Sequence, residues 1–287
     1  MIRRSRWLLV AARATCALVL FVCLDARAEE LRVSGTGTAL GALRHLAGAF
    51  ERANPGHRLR VLPSVGSSGA IGAVVDGALD VATSGRSLRP EEEAAGLAAV
   101  EYARTPFVLA VGPRAGVTGI TPAELVRIYA GDLTVWPSGE RVRVVLRPRT
   151  DVDDAILRAI SPEMAKAVEA AHRREGMLVA LTNQECDEIL ARTPGAIGPT
   201  SLAQLLAEDS AIVPLAWNGV APTVANVASG AYPLVKTLSV VFRAPASPAV
   251  RRFLEFLASP EARAMLERTG NLPLPLQSPG RDDAGRP

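Results

Sequence analysis

Three times before residue 90, a short apolar run ends in a turn of small polar residues, and each of the first two turns opens a helical pattern. Leu31-Arg32-Val33 leads into Ser34-Gly35-Thr36-Gly37-Thr38, after which apolar residues recur at Leu40, Leu43, Ala47 and Phe50, close to the helical period. Asn54-Pro55-Gly56 stops that helix. Arg58 to Leu62 alternates as a strand, and Gly66-Ser67-Ser68-Gly69 opens a second helix running through Val75. Asp80-Val81-Ala82-Thr83-Ser84 is the next strand, before Ser84-Gly85-Arg86-Ser87. This βαβαβ rhythm predicts an α/β fold with a mainly parallel sheet covered by helices. Later segments keep the idiom. Thr121-Pro122-Ala123-Glu124 is a capping box with proline at the first helical position, and Ser161-Pro162-Glu163 and Ser259-Pro260-Glu261 are similar helix starts. Phe107 to Val111, Val142 to Leu146 and Leu238 to Phe242 are apolar enough for buried strands.

The turns carry chemistry as well as topology. Each puts hydroxyls and free backbone N–H groups at the carboxyl end of a parallel strand, where open α/β sheets take their ligands. Helix N-termini there favour an anion. Each turn alone could be a plain N-cap; three on neighbouring strands point to a ligand site.

Enzyme chemistry leaves no matching trace. His45 lies inside the first helix, His57 follows a helix stop, and His172 sits in a charged run with Arg173 and Arg174. None has a carboxylate partner legible in the sequence. There is no metal-ligand spacing, nucleophile elbow or phosphate-cradling lysine loop, so no metal, cofactor or catalytic residue is expected. Aromatics make up 4% of the chain, too few for a sugar-stacking groove or a single-strand platform.

The net charge of +3 is concentrated at the start. Residues 1–28 hold Arg3, Arg4, Arg6, Arg13 and Arg27 against Asp25, leaving 27 basic and 28 acidic side chains beyond them. No basic field remains to attract nucleic acid or an anionic membrane. The same 28 residues read as a signal peptide: a basic start, an apolar stretch from Trp7 to Leu24, and Ala26-Arg27-Ala28 as the cleavage site. Ala14 to Leu24 is short for a membrane span. A periplasmic protein cleaved after Ala28 is the expectation, exported by the general or the twin-arginine route. Cys16 and Cys23 leave with the signal, so Cys186 has no disulfide partner within the chain and is expected as a packed or half-exposed thiol. Residues 277–287 are polar and Pro/Gly-rich, as in a disordered tail.

With these residues in hand, the chain from about Leu31 to Leu274 resembles the phosphate-binding proteins of bacterial phosphate ABC transporters, within the type II periplasmic-binding superfamily. Gly35-Thr36-Gly37-Thr38-Ala39-Leu40 and Gly66-Ser67-Ser68-Gly69 are similar to the two phosphate loops. Thr121 to Trp136, Asn218-Gly219-Val220-Ala221-Pro222-Thr223 and Gly230-Ala231-Tyr232-Pro233-Leu234 resemble further family segments in the same order. The resemblance implies two α/β lobes with a cleft between them: residues 29–111 and 235–276 forming one, residues 112–234 the other. It implies capture, as a monomer, of a small oxyanion, phosphate first, for an inner-membrane permease. The alternative is a sensory module that presents another small ligand to a membrane receptor. By the same resemblance the ligand contacts are Thr36, Gly37, Thr38, Ser67, Ser68, Gly69 and Arg147; Asp151, in a turn that departs from the family, is a further candidate.

Two positions depart from the family. Where an acidic residue often meets the phosphate proton, this chain has Gly85 beside Arg86. Where the family arginine precedes a Ser-Gly-Thr turn, Arg147 precedes Thr150-Asp151-Val152-Asp153-Asp154. A carboxylate about 4 Å from a bound anion costs on the order of 4 kcal/mol, about a thousandfold in affinity. Either Asp151, Asp153 and Asp154 only support the helix dipole and point away from the cleft, or Asp151 or Asp153 fills the anion pocket and pairs with Arg147 or Arg149, in which case the ligand is one other than phosphate, such as one carrying a cationic or hydroxyl group.

Overall fold

The computed structural model describes residues 29–276; the signal-peptide and tail expectations lie outside them. The chain opens with β1 (Glu29–Gly35), α1 (Gly37–Ala53), β2 (His57–Val61), α2 (Gly66–Val75) and β3 (Val81–Ser84), the unit read from the sequence. A short α3 (Pro90–Ala94) leads into β4 (Leu97–Val111), the longest strand of the described residues. The middle runs β5 (Gly119–Ile120), α4 (Pro122–Ala130), β6 (Arg143–Leu146), α5 (Val152–Ala159), α6 (Pro162–Arg173), β7 (Leu178–Val179), α7 (Asn183–Arg192), β8 (Ala196–Ser201), α8 (Leu202–Ala207), β9 (Val213–Pro214), β10 (Ala216–Trp217) and α9 (Val224–Ala228). The return is β11 (Val235–Arg243), α10 (Pro248–Leu257), α11 (Pro260–Arg268) and β12 (Leu272–Pro273).

The main sheet has the order β2-β1-β3-β11-β4-β8-β6-β7. At one end β1 pairs in parallel with β2 and β3; at the other β6 pairs in parallel with β8 and β7. Antiparallel β11 and β4 join these two parallel halves. Strand β4 changes partner along its length. Leu97 to Pro106 lie against β11, and Phe107 to Val111 lie against β8.

Each half has its own core. Around α1, the periodic Leu40, Leu43, Leu46 and Phe50 are buried with Phe253 and Phe256. The Phe50 ring meets both phenylalanines edge-on at 5.7 and 5.6 Å. Around β6, Leu125, Tyr129, Trp136, Leu157, Met164 and Val168 form the second core. Burial of each such side chain contributes about 1.5–3 kcal/mol. The helix starts fold as their sequences dictate. Thr121 and Glu124 complete the capping box, while Ser161 and Ser259 accept from the N–H groups of Met164 and Ala262. Gly35 must be glycine: its φ is +150°, and a Cβ would lie 2.0 Å from the Thr83 carbonyl oxygen of β3.

Candidate functional site

The site is assembled where α1, α5 and α7 begin and where β11 starts. Strand β6 ends one residue before Arg147, whose guanidinium is 2% exposed. Its Nη1 donates to the Ala180 carbonyl at 2.8 Å, and its Nη2 to Asp151 Oδ2 at 2.9 Å. Asp151 is the N-cap of α5 and accepts from the Asp153 backbone N–H at 2.9 Å. This cap orients the first turn and sends its two remaining carboxylates in different directions.

Asp153 points inward and is fully buried. Its Oδ1 forms an ion pair with Lys236 Nζ, and its Oδ2 accepts from Asn183 Nδ2 at 2.9 Å and lies 3.9 Å from Arg147 Nε. Lys236, 2% exposed, also donates from Nζ to Thr38 Oγ1 at 2.9 Å, with the Phe107 ring centroid 5.8 Å away. The result is a buried relay, Thr38–Lys236–Asp153–Arg147–Asp151, in which two cations balance two carboxylates. Burial pushes the Asp153 carboxyl up, and the charges of Lys236 and Arg147 pull it back.

Asp154 points the other way, accepting from Arg158 Nε at 2.6 Å and lying 2.7 Å from His172 Nε2. His172 therefore has the carboxylate partner that the sequence did not reveal. Both side chains are buried where α5 packs on α6, and they tie those helices together. Arg149 is also drawn away from the relay, to Glu169, whose carboxyl it holds down at about 2. In the acidic turn, Asp151 caps the helix, Asp153 fills the interior position, Asp154 points away from it, and Arg147 is the arginine paired with the turn.

The remaining sequence candidates have distinct settings. Thr36 precedes α1 and is buried, donating its backbone N–H to Thr83 O at 3.0 Å. A Cβ on Gly37 would fall 2.5 Å from Gln184 Oε1 of α7, so the first turn lies directly against α7. Ser67 Oγ accepts from the Gly85 N–H at 3.0 Å, and Ser68 Oγ accepts from Arg86 Nη2 at 3.1 Å. Gly69 is exposed on α2. Arg86 is itself paired with Glu92, whose carboxyl it holds near 2. Thus Thr38, Arg147 and Asp151 meet in one network. The third turn abuts it through Val152, which lies within van der Waals reach of a Cβ placed on Gly85, and the second turn meets the third through Ser67 and Ser68.

Lys236 and Asn183 were not singled out from the sequence. Lys236 had a signal, a lone ammonium beside the apolar run Leu238 to Phe242. Asn183 opens a helix and gave none. Behind α7, Gln204 Nε2 donates to Asp187 Oδ2 at 2.7 Å, and burial pushes Asp187 up to about 7 despite Thr200 and Gln204. Cys186 beside it is fully buried, and burial raises its thiol.

Comparison with known proteins places the chain in a family. The phosphate-binding protein PstS of Bacillus subtilis (strain 168) is 27% identical over 274 residues, covering 91% of this chain and 88% of the relative. The PstS of Borreliella burgdorferi is 22% identical over 266 residues, 88% of this chain and 94% of the relative. Among solved structures, a phosphate ABC transporter substrate-binding protein from Clostridium perfringens, with bound phosphate, superposes with a TM-score of 0.74 at 19% identity, covering 86% of this chain and all of that one. A periplasmic molybdate-binding protein of Azotobacter vinelandii reaches 0.61 at 18% identity, covering 85% and 99%. These likenesses identify the two-lobed fold. The sequence model of the family described as "PBP superfamily domain" matches residues 24–261, most of the chain, and this protein belongs to that family.

Proposed function

We propose that this protein captures a small oxyanion, phosphate first, in the periplasm and hands it to an inner-membrane ABC permease without transforming it. The observation that carries the reading is one buried network that joins Asn183, Arg147 and Lys236 around the Asp153 carboxylate and Thr38 to Lys236. A hydroxyl, an amide, a guanidinium and an ammonium are the donor set that a tetrahedral oxyanion needs, and charge-assisted bonds from the two cations would supply most of the affinity. The phosphate-binding names of its curated relatives favour the same ligand class. On this reading the lobes are residues 29–111 with 235–276, and 112–234. Solute enters as they part and is held as they close, driven by its higher affinity for the closed form. Thr36, Gly37, Thr38 and Arg147 line the ligand position, Asp151 orients Arg147, and Ser67, Ser68 and Gly69 form the rim. No helix among the described residues is long and apolar enough to cross a membrane. Calorimetric titration with inorganic phosphate tests the reading. Binding should be measurable for the full chain and absent in Arg147→Ala. Absence of heat and of any melting shift at millimolar phosphate would remove phosphate as the ligand.

A further inference from the structure

We propose that Asp153 is an internal anion: its carboxylate occupies the oxyanion position, draws the lobes together, and competes with free solute for Lys236, Asn183 and Thr38. The inference rests on the oxyanion reading above and adds what sets the strength and selectivity of that site.

Three separate stretches of chain supply the groups around the carboxylate, Arg147 after β6, Asn183 of α7 and Lys236 of β11, and a fourth, Thr38 of α1, shares the Lys236 ammonium with it. Support of the helix dipole does not explain this. Asp151 already caps α5, and Asp154, next in the chain, reaches its own partners, Arg158 on α5 and His172 on α6. Asp153 alone turns into the seam between lobes. It is fully buried and fixed there by its own N–H on Asp151 and by Val152 against Gly85. A solute oxyanion and this carboxylate therefore cannot share the position. The charge balance agrees. Arg147 and Lys236 are matched by Asp151 and Asp153, so an arriving anion meets a neutral site until Asp153 withdraws. Replacing Asp153 by asparagine or serine leaves one net positive charge facing the solute.

The experiment compares the full wild-type chain with Asp153→Asn and Asp153→Ser. Inorganic phosphate is titrated by calorimetry, and lobe separation is read by small-angle X-ray scattering with and without phosphate. Both variants should bind phosphate at least about a hundredfold more tightly than wild type, the effect of removing a like charge at contact distance. Without phosphate both should scatter as more open particles than wild type, and phosphate should close them. Two substitutions of different size guard against one failing to fold. Equal or weaker binding in folded variants would overturn the internal-anion role while leaving oxyanion capture intact, since wild type would still bind and Arg147→Ala would not. If no form binds phosphate, the oxyanion reading fails on its own. In that case the competition with solute falls too, and scattering decides only the closing role of the carboxylate: variants that open support it, and variants as compact as wild type refute it.

Discussion

Replacing Lys236 by methionine keeps the length of the side chain and removes its charge, leaving the Asp153 carboxylate fully buried with a single full cation nearby. That cation, Arg147, is 3.9 Å away and already shared with Asp151. Thr38 loses its bonded donor as well. Breaking a buried ion pair from one side costs about 3–5 kcal/mol, because the orphaned charge keeps its desolvation penalty without its partner. For a chain of this size that corresponds to a fall in Tm of about 6–20 °C. The sign with pH follows. Without Lys236 the Asp153 carboxyl rises further above its unfolded value, so the variant should regain stability as pH falls and the carboxyl takes up a proton. Adding Asp153→Asn should recover at least about 2 kcal/mol, because the buried charge is then gone from both sides. Urea unfolding followed by circular dichroism, extrapolated linearly to water, measures all three proteins. A Lys236→Met cost below about 1 kcal/mol, or strict additivity in the double variant, would refute the pairing.

Asp187, pushed up to about 7 by burial, should make the folded protein lose stability as pH rises from about 4 to about 7, where the unfolded carboxyl ionises first. Asp187→Asn should flatten that slope, worth on the order of 2–4 kcal/mol, in pH-dependent denaturation curves. Glu92, held near 2 by Arg86, contributes stability above its ordinary range that is lost as pH falls towards 2. Arg86→Ala should remove that acid-side loss and cost about 1 kcal/mol at neutral pH, read by thermal melting. Gly35→Ala should cost more than about 4 kcal/mol or prevent folding, since the new Cβ meets backbone at 2.0 Å; soluble yield and Tm report it.

Much of the fold could be read locally. The helices at Thr121, Ser161 and Ser259 announce themselves by a cap residue followed by proline, and α1 by its apolar spacing, because those signals lie within a few residues of one another. Strand β4 was half hidden. Phe107 to Val111 is apolar on both faces and reads as a strand, whereas Leu97 to Pro106 mixes alanines with Glu101 and Arg104 and owes its extended form to pairing with β11. The site divides in the same way. Thr38 was recognisable from its turn and Arg147 through the family resemblance, but the contact of Lys236 with Thr38 spans 198 residues, and neither residue's neighbours encode it. The acidic turn was legible as a departure from the family; that Asp154 turns outward to His172 of α6 while Asp153 faces Lys236 is a fact of packing.

Because β4 is one unbroken backbone serving both halves of the sheet and β11 starts at its changeover point, a rotation of one lobe against the other would twist through them. The changeover lies at Pro106 and Phe107, where Phe107 N–H bonds the Leu234 carbonyl and Tyr232 Oη donates to the Phe107 carbonyl. Lys236 is two residues from that axle. Its ammonium therefore travels little during such a rotation, while Asp153, out on α5, is carried along an arc. In mechanical terms the cation is the fixed contact and the carboxylate the moving one, so a small twist of two strands makes or breaks the circuit between them.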